Sequence, residues 1–116
     1  MRMMSTVISL TAALALAAQV VAADAKGKDT YKKTCQQCHG PNGNGDRAAD
    51  RFFQVTIPKL NSAGVQDKTD EELKEIITKG RRKMEPVRMG QPTARHNISA
   101  EQVDEVVAYV RTFKKK

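Results

Sequence analysis

The pentapeptide Cys35-Gln36-Gln37-Cys38-His39 constrains this 116-residue chain more than any other stretch. Its two cysteines are the only ones in the chain, they stand three apart, and a histidine follows the second directly. That spacing is the attachment pattern of a c-type haem. Each thiol adds to one of the two vinyl groups on a haem edge, and the two intervening residues let the backbone span them. The next residue then presents an imidazole to the iron from the proximal side. Other uses of a cysteine pair fit less well. A thioredoxin-like redox pair expects a βαβ setting, and no strand-like runs flank this one. A structural zinc site needs four ligands, and the only other histidine, His96, lies far downstream. A disulfide at this spacing is strained and leaves His39 without a role.

The first 23 residues or so read as a secretory signal peptide rather than as part of the fold. Met1-Arg2 give a short positive start, Val7 to Ala18 form an apolar run rich in Ala and Leu, and Val20-Val21-Ala22-Ala23 offer small residues for cleavage. The cut falls after Ala22 or Ala23. An uncleaved membrane anchor is the alternative, but the run is short for a bilayer span and is broken by Ser9, Thr11 and Gln19. Export suits the motif, because cysteines destined for haem must meet it outside the cytoplasm. The bacterial periplasm is the expected location.

The mature part, from about Asp24 to Lys116, is enough for one small domain. It has no Trp, three Phe and two Tyr, so a large apolar cofactor tethered to the chain would complete a thin core. The whole chain carries a formal net charge of +7, and removal of Arg2 leaves the mature protein one unit less basic. A basic face implies an acidic protein partner, an anionic membrane surface or nucleic acid, and export makes nucleic acid the least fitting of these.

Hydrophobic periodicity predicts helices and no β-sheet, hence an all-α fold. Asp24 to Thr34 reads as a short helix entering the motif, with Gly27 one turn before Tyr31. A glycine costs helix stability, so Gly27 marks the close approach of another backbone. Gly40 to Asp46 is dense in turn formers. Its G-x-G spacing is not a phosphate loop, since no strand precedes it and no Lys-Ser/Thr follows. Ala48 to Val55 is expected to hold a helical turn with Phe52, Phe53 and Val55 facing inward. Ile57 to Leu60 is expected to be extended around Pro58. Thr69-Asp70-Glu71-Glu72 is a capping box opening a helix that Gly80 closes. The stretch from Gly80 to Asn97 is a long loop holding Pro86 and Pro92, and loops of that length are usually functional. Ser99-Ala100-Glu101-Gln102 is a second capping box, followed by Val103, Val106, Val107, Val110 and Phe113 at helical steps.

An iron held by His39 needs a second axial ligand if it is to carry electrons without binding oxygen. A methionine thioether favours ferrous iron and raises the potential. Of the five methionines, Met1, Met3 and Met4 leave with the signal, so the long loop supplies the candidates Met84 and Met89, with His96 near its end.

With these residues in view, the chain resembles a small soluble class I cytochrome c of the mono-haem, His/Met type over essentially all of Asp24 to Lys116. The resemblance rests on Gly27 and Tyr31 before the motif with Val106 and Tyr109 in the last helix, on Pro58-Lys59-Leu60 with Gly64, and on Gly80-Arg81-Arg82-Lys83-Met84. It implies three to four short helices wrapped around one covalent haem, with the N- and C-terminal helices crossing. It implies Cys35 and Cys38 as the haem tethers and His39 as the proximal iron ligand. Met84 is then the distal ligand, with Met89 the runner-up and His96 third. It also implies that the Pro58 carbonyl accepts the His39 ring N–H and so orients it. Glu85 separates Met84 from Pro86, where the family commonly has proline directly after the methionine.

The expected function is one-electron transfer by a monomeric periplasmic carrier, not enzymatic turnover. Arg81, Arg82, Lys83 and Arg88 flank the ligand loop and would steer an acidic redox partner to the haem edge. No stable membrane insertion is expected after cleavage. The alternatives are a haem sensor or peroxide-handling protein with a displaceable sixth ligand, and a haem subunit of a larger periplasmic complex.

Overall fold

A computed structural model describes residues 26–87 and 97–114. The expected signal peptide, Arg88, Met89 and His96 lie outside those residues.

The described chain holds six helical segments and no strand. Helix α1 covers residues 26–34 and runs into α2, Gln36–His39. Then come α3, Arg47–Phe53, α4, Ala63–Gln66, α5, Asp70–Lys79, and α6, Ala100–Arg111. The number exceeds the three to four expected because the motif forms its own helical turn and because α4, only four residues long, leaves no periodic signature.

Both long helices open as their sequences direct. The Thr69 hydroxyl accepts the Glu72 N–H while the Glu72 carboxylate accepts the Thr69 N–H, and Ser99 and Gln102 make the same reciprocal pair. Each capping box satisfies two donors that the first turn would otherwise leave free. Helix α5 stops at Gly80, whose φ of 75° ends the helical path and whose N–H closes on the Ile76 carbonyl.

Helix α6 is the centre of the core. Val103, Val106, Val107 and Val110 are all buried, at the spacing that gives a helix one apolar stripe. Val106 and Val110 pack with Tyr31 of α1, and Val103 packs with Val87 and Ile98. At the crossing of α1 and α6, a Cβ built on Gly27 would overlap the Glu105 carbonyl, so only glycine admits this approach. Three rings lock the crossing edge to face: Tyr31 lies 5.3 Å from both Tyr109 and Phe113, which lie 5.1 Å from each other.

Helix α4 is fixed to α6 by polar groups. The buried Gln66 side-chain amide donates to the Leu60 and Val110 carbonyls at 2.7 and 3.0 Å. Arg111 donates to the Gln66 and Lys68 carbonyls and to the Asp70 carboxylate, so one guanidinium closes α4 and ties the start of α5. Lys74 and Asp104 pair at 2.9 Å across α5 and α6.

One side chain departs from the expected pattern. Phe52 is 80% exposed, not inward-facing, whereas Phe53 and Val55 are half-buried. The reason lies in the boundaries of α3: Asp46 caps it and Gln54 ends it in a left-handed conformation. The two phenylalanines are consecutive on this short helix, and the exposed Phe52 ring lies edge-on against the half-buried Phe53 ring, 4.9 Å between centroids.

Candidate haem-binding site

Helix α1 carries its hydrogen bonding straight into the motif, since the Cys35 N–H donates to the Tyr31 carbonyl at 2.8 Å. The Cys35 carbonyl then accepts from Cys38 and His39 at 3.2 and 3.0 Å. Residues three and four apart on such a turn share a face. Cys35, Cys38 and His39 therefore stand together. Gly40 ends the turn with a φ of 77°, and the chain curls back so that the Gly45 N–H reaches the His39 carbonyl at 2.8 Å. The Leu60 N–H meets the Gly43 carbonyl at 2.8 Å, and Asn61 donates to Asn44 at the same distance. The loop after the motif is thereby tied to the segment containing Pro58.

Both thiols are free and half-buried. Burial, and then repulsion from Cys38, pushes the Cys35 thiol up to about 12. Burial raises Cys38 as well, followed by the carboxylates of Asp46 and Glu85. That Cys38 feels Glu85 also brings the segment next to Met84 close to the motif. Burial holds His39 below the usual histidine range, which keeps its ring neutral.

The His39 Nδ1 is buried and has no hydrogen-bond partner among the described residues, so the expected bond to the Pro58 carbonyl is not made in this structure. Pro58 itself is exposed, in an irregular stretch after Ile57, whose N–H is held by the Asp50 carboxylate at 2.8 Å. An unmet buried polar atom of this kind costs about 1–3 kcal/mol. Two thiols on one face, with a neutral imidazole beside the second, form a donor set that fits a covalently held haem.

Met84 is half-buried and closes a tight turn. Arg81 and Met84 exchange backbone hydrogen bonds at 3.1 and 2.9 Å, with Arg82 between them at a φ of 54°. A Cβ on Gly80 would stand 2.6 Å from the Met84 carbonyl, so the glycine that ends α5 also makes room for this turn. The Val87 N–H then donates to the Ile77 carbonyl at 3.0 Å, returning the chain to α5. The front of the long loop is thus ordered by backbone bonds. Arg81, Arg82 and Lys83 are all exposed on it.

Two hydrogen bonds near the motif gave no local sign in the sequence. The Tyr31 hydroxyl donates to the Gly40 carbonyl at 2.6 Å, beside His39, and Gln66 braces the Leu60 carbonyl. A hydroxyl on an aromatic and a glutamine in a short helix carry no motif that announces a partner nine or 44 residues away.

A family model described as cytochrome c oxidase, cbb3-type, subunit III matches residues 22–110, a span that takes in the motif, Pro58, Met84 and all but the end of α6. No curated protein and no solved structure matches the chain.

Proposed function

The chain belongs to this cytochrome c family, so it binds haem c covalently and serves haem-based electron transfer, and from that premise we propose that it is a periplasmic one-electron carrier. The observation that carries this reading is the single turn that presents Cys35, Cys38 and His39 on one face. Bound haem supplies a one-electron couple between ferric and ferrous iron. The chain's own part is to hold and shield it. Cys35 and Cys38 tether it, and His39 provides the proximal ligand. Met84 provides the distal thioether, whose softness favours the ferrous state and raises the potential. A filled coordination sphere excludes oxygen and keeps rearrangement on electron transfer small. With the ring of His39 neutral, its lone pair is available without loss of a proton.

Residues 1–23 act as the export signal in this reading, and the mature protein works as a monomer with redox protein partners. Among the described residues no helix is long and apolar enough to cross a membrane.

The family's description names an oxidase subunit, which favours a second reading: a haem subunit held in a larger redox complex. One preparation separates the readings. Purified at physiological salt, a carrier is recovered alone, and its reduced form does not take up CO. Persistent co-purification with a larger complex supports the subunit reading. Rapid CO binding by the reduced protein contradicts both and favours a sensor or peroxide-handling role.

A further inference from the structure

Tyr31 is 1% exposed, one of the two most completely buried large side chains, and it meets the Cys35–His39 turn from both ends. Its carbonyl accepts the Cys35 N–H at 2.8 Å, where the turn begins. Its hydroxyl donates to the Gly40 carbonyl at 2.6 Å, where the turn ends. Among the described residues, the backbone donor to that carbonyl is the Gly43 N–H, at a longer 3.3 Å.

The ring alone accounts for the packing. Its edge contacts with Tyr109 and Phe113 and its place against Val106 and Val110 would serve a phenylalanine equally well. A hydroxyl taken from water into such surroundings costs free energy unless it finds a partner. This one finds a backbone carbonyl adjacent to the residue that faces the iron. Burial raises the phenol far above the usual tyrosine range, helped by Cys35 and Tyr109 and opposed by the Gly43 N–H. The group therefore stays a donor at any physiological pH.

We propose that Tyr31 is a positioning residue for His39: its hydroxyl fixes the Gly40 carbonyl, and with it the backbone leaving His39 and the plane of the imidazole. The His39–Gly40 peptide is the hinge on which that ring would swing. The Gly45 N–H holds the near carbonyl of this hinge, and Tyr31 holds the far one. Partners of this kind, which touch neither metal nor cofactor, set ligand orientation. The inference rests on His39 being the proximal ligand.

Tyr31→Phe keeps the ring and removes one hydrogen bond. In the ferric holoprotein the paramagnetic shifts of the haem methyl protons report the planes of the axial ligands. The expected result is a redistributed methyl pattern and a displaced reduction potential in Tyr31→Phe, with both unchanged in Tyr109→Phe from the same aromatic cluster. A Tyr31→Phe protein that melts lower yet keeps the wild-type methyl pattern and potential overturns the proposal, because the residue is then only structural. A second measurement needs no variant. In the wild-type holoprotein the Tyr31 hydroxyl proton should exchange slowly and lie close to the Gly40 backbone; rapid exchange with water overturns the proposal even if the variant fails to mature. A wild-type protein whose haem is not held by His39 overturns the site reading as well, and that result is visible before any variant is compared.

Discussion

A ring nitrogen buried without a hydrogen-bond partner costs a small protein about 1–3 kcal/mol, and His39 keeps one at Nδ1. The Pro58 carbonyl is the partner that the resemblance implies for this nitrogen, and that bond is not made among the described residues. The neighbouring residues divide their tasks by chemistry: burial raises the Cys35 and Cys38 thiols, Gly40 turns the chain away, and Tyr31 holds the turn shut. Covalent haem attachment would dictate both residue type and spacing at 35, 38 and 39, so these three carry their signal in the sequence itself. Gln66 could not be read in the same way. Its amide serves the carbonyls of Leu60 and Val110, and that pairing exists only after α4 has docked on α6. Phe52 was misread for a related reason. Hydrophobicity marked it for the core, but the short helix α3 has room to turn only part of its surface inward.

Among the elements, the helices with complete signals are the ones whose ends sequence reasoning found. Thr69 with Glu72 and Ser99 with Gln102 announce α5 and α6 by chemistry confined to four residues, and Gly80 announces the stop. The crossing of α1 and α6 is subtler, because it is written in one glycine. Replacing a glycine by alanine inside an exposed helix normally gains about 1 kcal/mol. At Gly27 the added methyl would meet the Glu105 carbonyl and the Tyr109 Cβ, both part of the opposite helix and unable to swing aside. The expected outcome for Gly27→Ala is therefore the reverse sign, a loss of about 1–3 kcal/mol of the kind overpacking produces. Thermal and urea unfolding of the holoprotein measure it, and an unchanged or raised stability would show that the helices do not cross this closely. The turn that opens the loop after Gly80 shows the same logic from the other direction. The Arg81–Met84 turn is held by backbone bonds and by a left-handed Arg82, neither of which leaves a periodic pattern to read.

For the molecule as a whole, charge and cofactor are linked. The chain carries an excess of seven positive charges, and Arg81, Arg82 and Lys83 place three exposed ones on the turn that presents Met84. If that turn borders the haem edge, an acidic partner is drawn to the point where the electron must pass. Reversing charge at Arg81 and Arg82 together should slow reduction by an acidic redox partner at least about tenfold at low ionic strength, and the difference should shrink as salt screens the rim over a few ångströms. Equal rates for the two proteins at low salt would remove the steering role. The central claim is that the iron is held between His39 and Met84, and absorption of the ferric protein tests it most directly. A ferric iron–thioether bond gives a weak far-red band. That band should be present in the wild-type protein and absent in Met84→Ala, with the reduction potential lowered. A band that survives in Met84→Ala and disappears in Met89→Ala would contradict the assignment.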